Sequence, residues 1–563
     1  MKLASIFTLI TLGTQISASV DKNSWIDWIL HDIKQAVTCG GCEVLLGSLK
    51  ALSVFGQDAF IDVLIGVCDV TKTQDPDVCS GLLKAEAPVV YNALKDMDIG
   101  SHTSKTLCAT LAGLCDFPEV RPYNLSLSPK SPKTRPPPSG KTPIRVAHIS
   151  DTHVDLSYET GSNYDCTKPI CCRVYTDDDA PGNTSSPCGP FGNPKCDPPL
   201  RLEDSMISAI EEMNPAFSIY TGDVVAHDIW MVTKDEVLDD LNATYNQLER
   251  LGLVFAAVGN HDTAPVNLFP TPQTPDSNNN EWAYKALTQN WNDLAPMSTP
   301  PNHGSYSSIL PNGNLKIISY NSIFYYTDNF YLFTDPMVHD PNNQFAWLID
   351  ELSAAESANQ RVWLIAHIPS GSIDHFHDYS HYLDQIVNRY EATIAALFFG
   401  HTHTDLFQIS YSNYSGRSHD TATAMGYITP SLTPTSGPPS FRIYDIDPET
   451  FGVLDYTVYI SNTSAAGFQE NPKWEKYYSA KDAYGSRLSP PYTEPTAELT
   501  PAFWHNVTVL MENDETVFQD WWQRRKRGFN VLECTGDCVG KEICKMRAAD
   551  AQFNCVEATP GIH

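Results

Sequence analysis

The chain has 563 residues, with 67 acidic against 37 basic side chains and a formal net charge of −30 at pH 7. That length allows several domains and a sizeable core, while the acidic balance excludes general affinity for nucleic acid or for anionic membranes at neutral pH. The 17 histidines offset part of this charge below about pH 6, which fits an acidic compartment.

Met1–Ser19 begins with Lys2, continues as an apolar run from Leu3 to Leu12 and ends in small residues at Ser17 and Ala18. This is the pattern of a secretory signal peptide over residues 1–19, cleaved after Ala18 or Ser19. Its apolar core is too short to span a bilayer, and no later run reaches the roughly 18 residues that spanning requires. The mature protein is therefore expected to be soluble and exported, either extracellular or in the lumen of a lysosome or vacuole. Fifteen cysteines suit an oxidising compartment. Six sequons, at Asn124, Asn183, Asn242, Asn413, Asn462 and Asn506, are expected to carry glycans at some positions.

Residues 31–119 contain Cys39, Cys42, Cys68, Cys79, Cys108 and Cys115. Apolar residues at helical spacing, such as Leu45, Leu49 and Leu52, and a near absence of turn signals predict helices. Six cysteines among amphipathic helices make a small disulfide-stapled domain, with 15 connectivities open. The cysteine spacing resembles the saposin B-type domain. That resemblance implies the pairs Cys39–Cys115, Cys42–Cys108 and Cys68–Cys79, and an apolar face that meets lipid. Residues 120–143, inside the proline-dense run from Phe117 to Pro143, predict an extended, semi-rigid linker separating this module from the rest of the chain.

Over residues 144–465 short β-rich runs alternate with helical stretches such as RLEDSMISAIEEM and DEVLDDLNATYNQLERL. The runs are Ile144–Ser150, Phe217–Tyr220, Leu253–Val258, Lys316–Tyr320, Arg361–Ala366 and Ala395–Phe399. The alternation predicts an α/β domain with a mixed or largely parallel inner sheet, and FRIYDID and DYTVYIS add antiparallel strands. Residues 466–563 predict a subdomain that is helical from about Lys473, disulfide-tied through Cys534, Cys538, Cys544 and Cys555, and packed on the α/β domain.

Five β-runs end in polar residues. SDTHVD supplies Asp151 and His153; TGDVVAHD supplies Asp223, His227 and Asp228; GNHD supplies Asn260, His261 and Asp262. AHIPSG supplies His367, and GHTHTD supplies His401 and His403. Ligands of open α/β sheets bind beyond the carboxyl ends of strands, so neighbouring tips would converge on one site. Carboxylate, amide oxygen and imidazole suit zinc, manganese or iron rather than calcium. Seven candidate ligands are too many for one tetrahedral zinc and fit two metals sharing a bridging carboxylate.

In this order the motifs D-x-H, G-D, G-N-H-[DE], H and G-H-x-H resemble the calcineurin-like metallophosphoesterase superfamily, over roughly Ile144 to Ser461. Prefixed by a saposin-like module and a proline-rich linker, the whole resembles the acid sphingomyelinase family. The resemblance implies a β-sandwich flanked by helices and two zinc ions per chain. It puts Asp151, His153 and His403 on one metal, Asn260, His367 and His401 on the other, and Asp223 between them. His261 would donate a proton to the leaving group, and His227 would assist or bind the phosphate. The implied reaction is hydrolysis of sphingomyelin to ceramide and phosphocholine, by in-line attack of a hydroxide generated at the binuclear centre. A lipid alkoxide is a poor leaving group, which is why a general acid is needed. The implied partner is a membrane phospholipid, met through the saposin-like module, and the chain is expected to act as a monomer without nucleic acid. Family analogy further pairs Cys166 with Cys171 and Cys172 with Cys196, leaving Cys188 free.

Gly259 is expected to permit a tight turn off its strand, and Asp262 to orient His261 or cap that turn. His375, His377 and His381 read as solvent-facing loop histidines ahead of a lining for the substrate entrance, and WWQRRKRG at Trp521–Gly528 as an exposed helix end ahead of a lipid-headgroup contact or a dibasic processing site. The alternative substrates are another phosphosphingolipid or a soluble nucleotide-type phosphodiester. A lipid-binding protein with a dead centre is the alternative class, against which every proposed ligand is present. Purple acid phosphatases carry a tyrosine three residues after the G-D aspartate, where this chain has Ala226.

Overall fold

A computed structural model describes residues 21–274, 279–311 and 313–560; the signal-peptide expectation over residues 1–19 lies outside them. The first element is a helical unit of five helices: α1 (Lys22–Gln35), α2 (Cys39–Ser53), α3 (Gln57–Thr71), α4 (Pro76–Asp96) and α5 (His102–Thr110). Their starts are set by short polar side chains. Asp21, Thr38 and Ser101 each accept a bond from a first-turn N–H, and Pro76 occupies the first turn of α4, where its missing N–H costs nothing. Disulfides join Cys39 to Cys115, Cys42 to Cys108 and Cys68 to Cys79. Leu52, Phe60, Val63 and Leu94 are buried inside, yet Trp28, Val37, Val44, Val54 and Val70 face solvent, Val54 with 83% of its surface exposed.

Residues 144 onward build two six-stranded sheets. The strands are β1 (Ile144–Ile149), β2 (Phe217–Tyr220), β3 (Val254–Ala256), β4 (Tyr306–Ile309), β5 (Leu315–Ser319) and β6 (Arg361–Ile365). They continue as β7 (Ile394–Phe399), β8 (Leu406–Tyr411), β9 (Ala422–Ile428), β10 (Ser440–Ile446), β11 (Val453–Ser461) and β12 (Trp474–Ser479). The first sheet runs β12-β11-β10-β1-β2-β3 and the second β4-β5-β6-β7-β9-β8. In the first, β1, β2 and β3 are parallel; in the second, β5, β6, β7 and β9 are parallel.

The inner faces pack against each other. Phe217 meets Trp363 with ring centroids 5.5 Å apart, and Phe398 meets Tyr444 at 5.2 Å. Alternation along β1 sends Val146 into this inner core and Ala147 and Ile149 into the outer one. Helices α6 (Leu200–Met213), α7 (Lys234–Leu248), α8 (Glu281–Leu294), α9 (Gln344–Ser357) and α10 (His377–Arg389) follow the strands. Leu202, Met206, Leu241 and Leu248 from α6 and α7 are fully buried; burial of such side chains contributes about 2 kcal/mol each.

The C-terminal segment holds the short α11 (Ala480–Ala483), then α12 (Pro501–Asn513), α13 (Glu515–Arg525) and α14 (Asp537–Met546). Trp504 of α12 is fully buried against Phe407 at 4.4 Å. Disulfides close Cys534–Cys538 and Cys544–Cys555, and near β1 also Cys166–Cys171 and Cys172–Cys196; Cys188 is free and buried. Asn124, Asn183, Asn242, Asn413, Asn462 and Asn506 are all exposed.

The mixed sheet read from the strand pattern is one half of the expected β-sandwich, whose two sheets are both mixed. Three expectations need correction. The segment after Lys473 does not turn helical at once, because Trp474–Ser479 pairs with β11 as the edge strand; its aromatic residues favour a pleated, half-buried surface. The histidines of SIDHFHDYSHY are not solvent-facing: His375 is buried, His377 packs on Phe117 at 4.2 Å, and His381 bonds Asp550 at 2.8 Å. Nor is WWQRRKRG an exposed helix end. Trp521, Trp522 and Arg527 are buried, and the Arg525 guanidinium lies 3.9 Å from the Trp522 ring.

The proline-dense linker is extended, and it is also tied down along its length. Arg121 forks onto Asp378, with Nε at 2.5 Å, and Tyr123 stacks on His339. Arg135 pairs with Glu498, and Ser139 donates to Asp447 at 2.8 Å. The helical unit rests on the sandwich too: Thr103 donates to the Thr334 carbonyl and to Asp335, both at 3.1 Å.

Candidate metal centre

The five polar motifs follow β1, β2, β3, β6 and β7, so they belong to both sheets and meet across the end of the sandwich. Backbone bonds knit the tips within each sheet: Asp151 N–H to the Gly222 carbonyl at 2.9 Å, and Gly400 N–H to the His367 carbonyl at 2.9 Å. One bond joining the sheets is His401 N–H to the Asp151 carboxylate, 2.9 Å. Asp151, His153, Asp223, His401 and His403 all have positive φ, between 44° and 68°. Such left-handed conformations cost non-glycine residues about 1 kcal/mol or more each and persist only where the surroundings impose them.

Gly259 is not left-handed, and its role differs from the expected turn. A Cβ there would lie 2.1 Å from Asp223 Oδ1 and 2.2 Å from the Asp223 nitrogen, so glycine is needed for the close approach of two strand tips. Gly400 does the same beside Ser150, where a Cβ would lie 1.9 Å from the hydroxyl.

Asp223 sits between two sets of imidazoles. Its Oδ2 is 3.0 Å from His367 Nε2 and 3.5 Å from His153 Nε2. His153 Nε2 is 3.1 Å from His403 Nε2, and His403 Nε2 is 3.4 Å from Asp151 Oδ1. On the other side His401 Nδ1 is 3.1 Å from Asn260 Oδ1. Ligand atoms of His153, Asp223 and His261, and of Asp223, His367 and His401, fall within 4.8 Å of one another.

The outward nitrogens are engaged by acceptors. His153 Nδ1–H donates to the Val225 carbonyl and His367 Nδ1–H to the Thr221 carbonyl, both at 2.7 Å, while His401 Nε2 faces Asp374 at 3.2 Å. These bonds fix the tautomers so that lone pairs point inward, the arrangement that surrounds metal-ligating histidines. His367 Nε2 is buried and makes no aligned hydrogen bond despite its closeness to Asp223. Inward lone pairs, an orphaned buried nitrogen and a central carboxylate are the donor set of a binuclear metal site.

The electrostatics separate the groups. Burial works against the Asp223 carboxylate, but His367 and His261 outweigh it and hold it well below the usual range. Burial likewise opposes charge on His367, yet Asp223 lifts it to about 9. Burial pushes His261 down to about 4, so its imidazole is neutral at physiological pH. For His227 burial is overcome by Asp197, which keeps it above its ordinary value.

His261 lies at the mouth of the centre, its backbone N–H bonded to Asp223 Oδ1 at 2.9 Å and its Nδ1 without a partner. Asp262 does not touch it. Its two oxygens accept the N–H groups of Val224 and Gly259, at 2.8 and 2.7 Å, so it caps the turn. His227 packs on His153 with ring centroids 3.9 Å apart. Asp228 points away into an ion pair with Arg173.

Asp197, Asp374 and Tyr326 surround the centre and carry no motif. Asp197 holds His227, Asp374 holds His401, and the Tyr326 ring lies 5.3 Å from that of His401. The one sequence signal for Asp197 is its place next to the half-cystine Cys196.

A family model described as calcineurin-like phosphoesterase matches residues 144–405. The chain is 33% identical over 509 residues to sphingomyelin phosphodiesterase B of Dictyostelium discoideum, covering 86% of this chain and 76% of that protein. It is 32% identical over 510 residues to the sphingomyelin phosphodiesterase of Homo sapiens, covering 87% and 77%. It is 32% identical over 549 residues to that of Bos taurus, covering 93% and 84%.

Proposed function

The chain belongs to the sphingomyelin phosphodiesterase family, and from that membership we propose that its strand-tip centre hydrolyses sphingomyelin to ceramide and phosphocholine. The observation that carries the reading is the position of Asp223, a buried carboxylate within 3.0 and 3.5 Å of imidazole nitrogens belonging to two ligand sets. Asp151, His153 and His403 would hold one ion, Asn260, His367 and His401 the other, with Asp223 shared. Mixed imidazole, amide and carboxylate donors suit zinc, manganese or iron, and the family resemblance favours zinc at both positions. When bound, such a pair supplies Lewis acidity toward phosphoryl oxygens and an acidified water.

The chain's own groups do the rest. His153 and His367 keep their orientation through backbone carbonyls, His401 through Asp374 and Asn260 through the Asn267 side chain, so little reorganisation accompanies charge development. The alkoxide of ceramide is a poor leaving group and needs a proton. His261, at the mouth with a free Nδ1, is the group proposed to hold that proton once the phosphate anion lies beside it. His227 presents its ring to the same opening and steadies a phosphoryl oxygen.

The helical unit is read as the saposin-like membrane contact, because apolar side chains stand exposed on its surface. Among the described residues no helix is long and apolar enough to cross a membrane. The protein is accordingly proposed to work as a monomer at the membrane surface, secreted or in a lysosomal or vacuolar lumen, with glycans on its exposed sequons. The test is release of phosphocholine from sphingomyelin vesicles before and after chelation, with metal content read by mass spectrometry. Activity lost on chelation and restored by zinc is expected; turnover that survives complete metal removal overturns the two-metal reading.

A further inference from the structure

Asp197 is fully buried and belongs to none of the strand-tip motifs, yet it makes the densest set of bonds to any group at the centre. Its Oδ1 and Oδ2 both lie 2.9 Å from His227 Nδ1, and Oδ2 also accepts the His227 backbone N–H at 2.6 Å. The remaining capacity of Oδ1 is taken by the Thr433 hydroxyl at 2.9 Å. A carboxylate can only accept, so the hydrogen of the neutral ring must sit on Nδ1, which leaves Nε2 free in a ring packed beside those of His153, His261 and His403.

The anchor of Asp197 is itself built in. Cys196, the preceding residue, is bonded to Cys172. The following residue, Pro198, accepts the Asp155 N–H at 2.9 Å, which ties the loop to the chain leaving β1. Thr433 donates its backbone N–H to the Asp151 carbonyl at 3.2 Å. A loop with no regular structure is thereby fixed against the tip of β1 from two sides, and its one buried carboxylate grips one histidine by both backbone and ring.

We propose that Asp197 is the positioning residue of this enzyme: it acts through His227, fixing the ring's tautomer and aiming Nε2 at the phosphoryl group. The proposal rests on the hydrolytic reading, which supplies the phosphoryl group at which Nε2 is aimed. The bonds described are the ones that orient a catalytic imidazole in other enzymes, where the same carboxylate-to-amide change costs 10²- to 10⁴-fold in turnover.

The test is a double-mutant cycle on the full chain with Asp197→Asn and His227→Ala, using sphingomyelin vesicles and bis(p-nitrophenyl) phosphate, with bound metal measured for each variant. D197N alone is expected to lower kcat about 10²- to 10³-fold, with KM within about 3-fold and metal content unchanged; in the H227A background it should add less than about 2-fold. A D197N loss that persists undiminished in that background, or that tracks loss of metal, overturns the proposal, as does an unchanged kcat. Should D197N fail to fold, Thr433→Val removes one anchor of Asp197 and reads the same cycle. A loss of about 5-fold that vanishes in the H227A background supports the proposal, and one that remains there overturns it. A wild-type chain that cleaves the soluble diester but not sphingomyelin would sink the substrate reading while leaving the cycle measurable.

Discussion

In the metal centre the unfavourable feature is conformational. Five ligand residues hold left-handed backbone, glycines are pressed against neighbouring tips, and charged groups lie out of water. In the helical unit the backbone is regular and capped, cross-linked by three disulfides, and the unfavourable feature is apolar surface left in water. The centre needs strain because its ligands must be preorganised before any substrate arrives. The unit is regular and stapled, and such a frame lets its exposed side chains stay apolar without collapsing inward. One region is specified by geometry at a point, the other by chemistry over an area.

The sharpest way to break this contrast is His261→Ala. It should lower kcat about 10²- to 10⁴-fold while both metals are retained, since the two proposed ligand sets are complete without it. Metal loss in step with activity would move His261 into the ligand set. Next in size is a change to the apolar area. Val54→Asp combined with Trp28→Asp should cut turnover on sphingomyelin vesicles by about 10-fold and leave a soluble diester within about 2-fold. Equal losses on both substrates would mean that the unit supports the centre rather than the membrane.

The smallest effect separates the regions by pH. Glu203 is fully buried on α6, and burial lifts its carboxyl from 4.5 to about 8. The folded state therefore keeps a proton that the unfolded chain releases, so stability is lost as pH rises from about 4.5 to 8. Glu203→Gln should leave thermal unfolding of the sandwich unchanged at pH 4 and raise its midpoint at pH 8, with a ceiling of about 5 kcal/mol. Calorimetry at both pH values measures this, and a variant equally stabilised at pH 4 contradicts it.

Much of this was legible in the sequence. Strand-end motifs stand out because an apolar run ending in Asp, Asn or His has few structural uses, and half-cystine spacing marks the helical unit. What stayed hidden depends on contacts far apart in the chain. Asp197 has no motif, because its partner His227 comes from another loop. His377 is partly covered by Phe117 and His375 is buried against the Tyr325 ring, contacts that local polarity cannot foretell. β12 looked like the start of a helical tail because its pairing partner fixes it, not its own pattern. The left-handed candidate ligands are Asp and His, which enter that region more readily than most residues, but nothing in the sequence marks which copies do so.

The linker that ties these regions together has one more consequence. A flexible chain of its length would let the helical unit roam with a root-mean-square reach of about 27 Å. Anchored through Arg121, Tyr123, Arg135 and Ser139, it holds the surface carrying Val54 and Trp28 at a fixed tilt to the centre where His261 sits, which on the proposed membrane reading makes it a spirit level. Delivery of a headgroup then becomes a matter of alignment rather than of diffusion within a tether's radius.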